Sequence, residues 1–369
     1  MSENNRLHYL DLARGAGIIL VILGHISYLG EGSRIFIVSF HMPLFFVISG
    51  LLIFLKKEDG RSLSHSLKNK ALRMMVPYYL YSVLGILIYI LYYLLTGRDG
   101  GWPTVISNLV QTLTLYGFSV MWFLPAIFGA ELLFLLLLKK TPFPLILTVI
   151  LTAAAMILNG RLEEANAIYG SDTAFSVFHL IAVMLLRIPV CASFIAAGYY
   201  IAKSWSKLKA TGPDRFPRLA VPADLLIGAD ALGLAVVFSR INGVTDLHFL
   251  IFNNVLFYYI AALSGSMGLI LICKAFEAAA GAPPLRLLSY FGINSLTIMV
   301  THLNFYVLLL AEIGGFHFTK ALPEGMLKHN VFMLLVLIFT LCGEIVIIEA
   351  LKRLSQTNFS MKLSRFFRG

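Results

Sequence analysis

Runs of about twenty mostly apolar residues recur along the whole chain, and this repetition excludes nearly every water-soluble fold. At about 1.5 Å of rise per residue, each run is long enough as a helix to cross the roughly 30 Å hydrocarbon core of a bilayer. Ten such runs are predicted: 8–28, 36–55, 76–96, 121–138, 143–159, 180–202, 225–239, 249–272, 290–310 and 331–351. Composition agrees, since 59% of the 369 residues are hydrophobic and only 13% are charged, unlike any ordinary soluble domain. The expectation is an all-α polytopic transmembrane helical bundle. No loop is long enough for a separate soluble unit, so residues 1–369 read as a single membrane-embedded domain.

A net charge of +10 would suggest nucleic acid in a soluble protein, but its distribution says otherwise. Basic residues crowd alternate loops: Lys56 to Arg73, Lys139 and Lys140, Lys203 to Arg218, Lys274 and Arg286, and Lys352 to Arg368. The opposite loops hold Arg34, Arg98, Arg161, Arg240, Lys320 and Lys328, about one each. That asymmetry is the positive-inside rule. It puts both termini in the cytoplasm, requires an even number of spans, and leaves no nucleic-acid partner to invoke. A multi-pass protein of the plasma (inner) membrane is expected, with lipid as its surroundings. The first run is too long for a signal peptide and lacks a small-residue cleavage site. Cys191, Cys273 and Cys342 are scattered and form neither a disulfide framework nor a metal site.

The first run, Leu7 to Leu29, carries Arg14 and His25 within its apolar sequence. Ionisable residues inside a span are costly and mark functional sites by default. Eleven helical steps of about 100° bring the two within roughly 20° of one face, some 16 Å apart along the axis. One stripe therefore offers a fixed cation at one depth and a proton acceptor at another. The bland readings are a snorkelling Arg14 and a His25 packed against a neighbouring helix; their shared face favours function.

Further candidates follow along the chain. His41 falls at the outer boundary of the second span, where it is a wet interfacial histidine or lines an outward entrance, and Pro43 lies near the span's outer start. Ser49-Gly50 permits close helix approach. Lys70 and Arg73, three apart before Pro77, share a helical face near the Arg14 level and suit phosphate recognition. Lys56, Lys57 and Arg61 read as ordinary topology-setting charge. Trp102, Tyr116 and Trp122 lie at interfacial depth. Glu131 lies roughly 15 Å into the fourth span and needs a partner, for which Arg14, Arg187 or a polar cavity would serve. Arg187 raises the same question in the sixth. In the ninth, Asn294 and His302 face within about 80° of one another; in the tenth, Glu344 and Glu349 pair with Lys352 or Arg353.

Taken together, these stretches resemble the acyltransferase-3 family of integral-membrane O-acyltransferases, and within it the fucose 4-O-acetylase-like sugar O-acetyltransferases. The resemblance rests on Asp11-Leu12-Ala13-Arg14 with His25; Met42-Pro43-Leu44-Phe45-Phe46 with Ser49-Gly50; Lys70-x-x-Arg73 before Val76-Pro77; Trp122-Phe123-Leu124; and Asn294-Ser295-Leu296 ahead of His302. It implies transfer of an acyl group, commonly acetyl, from cytoplasmic acyl-CoA to a hydroxyl of a glycan or lipid-linked sugar. The histidine matching His25 is then central to transfer, and the arginines matching Arg14 and Arg73 hold the donor. Where the family often has arginine, Lys70 keeps the charge but loses the bidentate fork.

The chemistry agrees. Acyl transfer to an alcohol needs a base near neutral pH, which suits histidine, and coenzyme A ends in phosphates, which suit Arg14, Lys70 and Arg73. Asp11, His41, Ser49, Trp122, Glu131, Arg187, Asn294 and His302 are expected in supporting or acceptor-side roles. Acetyl-CoA is a donor substrate here, with no permanently bound cofactor and no metal. The competing reading is a transporter of a sugar or small anion, which predicts inverted repeats and paired broken helices.

Overall fold

The computed structural model describes residues 7–97, 100–211, 217–279 and 283–356. Within them the chain forms α1 (His8–His25), α2 (Glu31–Leu55), α3 (Leu63–Thr96), α4 (Gly101–Leu113), α5 (Phe123–Lys140), α6 (Pro144–Tyr169) and α7 (Thr173–Thr211). These are followed by α8 (Pro217–Asn242), α9 (Val255–Ala279), α10 (Pro283–Ile293), α11 (Ser295–Thr301), α12 (Val307–Thr319) and α13 (Met326–Gln356). Of the charges weighed above, Arg98, Arg215, Lys362, Arg365 and Arg368 lie outside the described residues.

Among the described residues eight helices are long and apolar enough to cross a membrane: α2, α3, α5 with its preceding turn, α6, α7, α8, α9 and α13. The protein is an all-α, multi-pass membrane bundle. α2 and α5 are its central members, with 78% and 72% of their apolar windows buried, whereas α8 is peripheral at 11%. Peripheral helices turn leucine, valine and isoleucine outward, as at Leu87, Leu91 and Leu226, which costs nothing against lipid.

The other two predicted spans differ from expectation. α1 has 18 residues, and its Asp11, Arg14 and terminal histidines dilute its apolarity. It tolerates them because it packs inside, against α2, α9 and α10. The predicted 290–310 span is not one helix. It breaks at Asn294 and again over His302–Tyr306, where Tyr306 takes a left-handed conformation (φ 59°). The broken piece α11–α12 climbs beside α1, with His302 next to His25 and Glu312 accepting from the Ser27 amide at 2.8 Å. The predicted start at 249 is also too early. Residues 243–254 form a loop closed by an antiparallel Asp246–Ile251 bridge, and its aspartate and asparagines bond the backbone, as with the Asp246 carboxylate accepting from the His248 and Phe249 amides. Pro43 and Pro77 lie inside α2 and α3, not at their starts. α3 begins earlier, where Ser62 caps it by accepting from the His65 amide.

Two glycine crossings hold the site-bearing helices together. A Cβ on Gly15 would strike the Leu288 carbonyl, and one on Gly292 the Asp11 carbonyl, so α1 and α10 touch backbone to backbone. Gly50 and Gly198 do the same for α2 and α7, against the Ile195 and Val47 carbonyls. Such small-residue contacts replace the hydrophobic driving force that lipid removes.

Candidate active site

Two pockets lie at two depths of α1. The smaller, about 120 Å³, is lined by Arg14, Lys56, Glu58, Lys70, Arg73, Ser49 and Glu131 at the end that carries the basic loops. The larger, about 580 Å³, is lined by His25, His41, Gln111, Tyr116, Trp122, Thr245, Asp246 and His248 towards the other end. Met299, 1% exposed, lines both. Trp122 lines the larger pocket and Phe123, next in sequence, the smaller.

In the inner pocket the ionic pairs are specific. Arg14 lies 3.6 Å from Asp11 on the same helix. Lys70 donates to Glu131 at 2.6 Å and to Glu58 at 2.9 Å, and Ser49 donates to the other Glu131 oxygen. The partner Glu131 needed is thus Lys70, not Arg14 or Arg187. A compact ammonium with three donors bridges two separate carboxylates in a way a planar guanidinium fork does not. Arg73 makes no ion pair among the described residues. Lys56, expected from the sequence to be ordinary topology-setting charge, also lines this pocket. Burial and the adjacent Arg14 and Arg73 guanidinium groups hold its ammonium below the ordinary lysine range, against the opposing pull of Glu58 and Asp11. Its seven-residue spacing from Ser49 puts the two on one helical face, a sequence signal that would have found it. Four cations, Arg14, Lys56, Lys70 and Arg73, line this recess against two carboxylates, Glu58 and Glu131, and leave it with an excess of positive charge.

The outer pocket is largely aromatic. His248 stacks on Trp122 with ring centroids 5.2 Å apart and an 11° tilt. Behind this wall Arg187, 0% exposed, donates through Nε and Nη2 to the His248 carbonyl at 3.0 and 2.7 Å and through Nη1 to the Tyr116 carbonyl at 3.2 Å. Its guanidinium also lies over the Tyr116 and Trp122 rings. Arg187 therefore holds the wall and lines neither pocket. Burial, together with the nearby Arg187 charge, keeps the His248 imidazole well below its usual range, so it is neutral. The Thr245 hydroxyl and His248 Nε2 are buried without partners among the described residues.

The remaining candidates fall into place by geometry. His25, at the C-terminal end of α1, is accessible through the outer pocket. His41 is buried rather than wet; it donates through Nδ1 to the Ile37 carbonyl at 2.8 Å and faces the outer pocket. His302 is fully buried, with its ring centroid 5.4 Å from that of His25. Asn294 bonds its own helix at the Tyr290 carbonyl, 2.8 Å away, and lines neither pocket. Glu349 pairs with Lys352 as expected, at 2.7 Å, whereas Glu344 bonds Thr301 instead. Trp102 is exposed, as an interfacial anchor is, but Tyr116 is buried in the outer wall. Sequence reasoning passed over Glu58, Asp246, His248 and Met299.

The site thus lies in a multi-pass helical membrane bundle, one helix of which carries Arg14 to one pocket and His25 to another. The family model for the acyltransferase domain of the acyltransferase-3 type matches residues 7–349, and the chain belongs to that family. It is a membrane acyltransferase. No curated protein and no solved structure matches it.

Proposed function

We propose that this protein is an O-acyltransferase that moves an acetyl or other acyl group from acyl-CoA, bound at the basic end, to a hydroxyl of a glycan or lipid-linked sugar in the outer pocket. The observation that carries the reading is that one helix presents Arg14 to an anion recess and His25 to a separate pocket, with Met299 shared between them. Phosphates of the donor meet Arg14, Arg73 and Lys56. Lys70 is engaged with Glu131 and Glu58 and shapes the recess more than it binds. The pantetheine arm spans the roughly 16 Å between the two levels, and the Met299 partition moves aside to admit it. His25 takes the acceptor hydroxyl proton as the oxygen attacks the thioester carbonyl. The new C–O bond forms, the C–S bond breaks, and the proton passes to the departing thiolate, which leaves as free coenzyme A. Aromatic faces at Trp122 and Tyr116, with polar atoms at Thr245, Asp246 and His248, suit an uncharged polyol ring. The setting is the plasma (inner) membrane, and family membership favours this chemistry over transport.

The test is transfer of label from radiolabelled acetyl-CoA into glycan and lipid-linked fractions, using membranes with the wild type or His25→Ala at matched abundance. Label present with the wild type and lost with the variant is expected. Equal labelling would remove His25 from the mechanism, and no labelling by the folded wild type with acceptor present would overturn the choice of donor or the reading itself.

A further inference from the structure

His302 has a bonding pattern that the two pockets leave unexplained. Its Nδ1 lies 2.8 Å from the Ile298 carbonyl. A carbonyl can only accept, so Nδ1 carries the proton, and in the neutral ring Nε2 is a bare acceptor. That Nε2 is buried and has no partner among the described residues. His302 is 0% exposed and lines neither pocket, so no substrate reaches it.

The candidates to donate to it are few. His41 is locked in the same way, Nδ1 to the Ile37 carbonyl at 2.8 Å, so its Nε2 is likewise an acceptor. The Thr301 hydroxyl is engaged by Thr297 and Glu344. The His25 side chain makes no hydrogen bond among the described residues, and its ring centroid is 5.4 Å from that of His302. Two imidazoles joined in line by an N–H···N bond have centroids about 5 Å apart, so a small turn of the His25 ring completes the bond. Catalytic hydrogen bonds commonly tighten only when substrate is bound.

We infer that His302 is a positioning residue: its Nε2 accepts the one ring N–H of His25, which turns the bare nitrogen of His25 to the acceptor hydroxyl in the outer pocket. The inference rests on the acyl-transfer reading of His25. As His25 takes the hydroxyl proton it becomes a cation with two N–H groups. One holds the transferred proton and the other bonds His302 more strongly than before, because charge-assisted hydrogen bonds are the stronger kind. The gain comes as the transition state is approached, so it raises kcat rather than lowering KM. The charged and titratable groups around the pair are His41 and Arg34 from α2 and Glu344 from α13.

The experiment compares His302→Gln, whose side-chain oxygen can stand near the Nε2 position, with His302→Phe, which fills the space without an acceptor. Transfer kinetics are measured across pH in reconstituted full-length protein, with His25→Ala alongside. Expected for His302→Phe is a kcat about 10- to 100-fold lower, little change in either KM, and an acid limb of the kcat profile displaced to lower pH. His302→Gln recovers most of the loss and restores the limb. Equal losses in both variants, a loss confined to KM, or an unmoved acid limb would overturn the inference. If His302→Phe does not fold, His302→Leu takes its place. His25→Ala inactive with His302→Phe at wild-type rate sinks only the positioning role; His25→Ala fully active sinks the acyl-transfer reading of His25 as well.

Discussion

Replacing Lys70 by Met tests whether this lysine is a structural counter-ion. The Nζ atom contacts Glu131 at 2.6 Å and Glu58 at 2.9 Å, with side-chain exposures of 12% for Lys70 and 7% for Glu131. Removing the cation leaves Glu131 as a buried carboxylate whose remaining donor is the Ser49 hydroxyl. Deleting one partner of a buried ion pair costs about 3–5 kcal/mol, mostly the penalty of the stranded charge. Partial exposure and the surviving Ser49 bond put Lys70→Met near the lower end, about 3 kcal/mol. The double variant Lys70→Met/Glu131→Leu strands no charge at position 131 and should recover most of that loss, giving a coupling of about 2 kcal/mol. Denaturant titration in detergent micelles, followed by circular dichroism, reads all corners of the cycle. A double variant as unstable as Lys70→Met alone, or a single variant indistinguishable from wild type, would refute the reasoning.

Arg187→Lys cannot reproduce the fork to the His248 carbonyl or the third bond to the Tyr116 carbonyl, so about 2 kcal/mol of stability and the shape of the aromatic wall are lost. In transfer kinetics, acceptor KM should rise while coenzyme A binding, measured by calorimetry, stays unchanged. Lys56 loses its proton at a lower pH than an ordinary lysine because burial and the Arg14 and Arg73 charges disfavour the ammonium. Affinity for coenzyme A should therefore fall with rising pH already below the ordinary lysine range of about 10.4, and Lys56→Arg should flatten that fall in the same calorimetric titration.

Much of this bundle can be read from apolar run length, because lipid imposes helices of a fixed minimum length. The pairing of Arg14 and His25 on one stripe is equally legible, since it depends on helical arithmetic within one segment. What the sequence hides depends on contacts between segments. Phe249 to Phe252 is apolar enough to read as the start of a span, yet Asp246 and the asparagines around it fold that stretch into a loop. The break at His302–Tyr306 follows from a left-handed Tyr306, a conformation that no run of hydropathy encodes. Arg187 is satisfied by two backbone carbonyls, partners with no sequence signature. Lys56 was lost among charges that serve topology, because position alone does not separate a cation in water from one in a recess.

The broken helix also explains how a buried histidine comes to stand beside the end of α1. In a continuous helix, residues 298 to 306 would bond their carbonyls up the same column. Here the chain turns at 302–306, and the Leu308 amide reaches back to the His302 carbonyl at 2.9 Å. Non-helical backbone at membrane depth survives only where it is buried in protein or lines a cavity, and both conditions hold, since His302 is buried and Leu303 lines the outer pocket. The interruption therefore costs little while it keeps His302 next to His25 and Met299, one turn earlier, in the partition between the pockets. The turn at 302–306 thus keeps together Met299, which lines both pockets, and the buried acceptor that can orient His25.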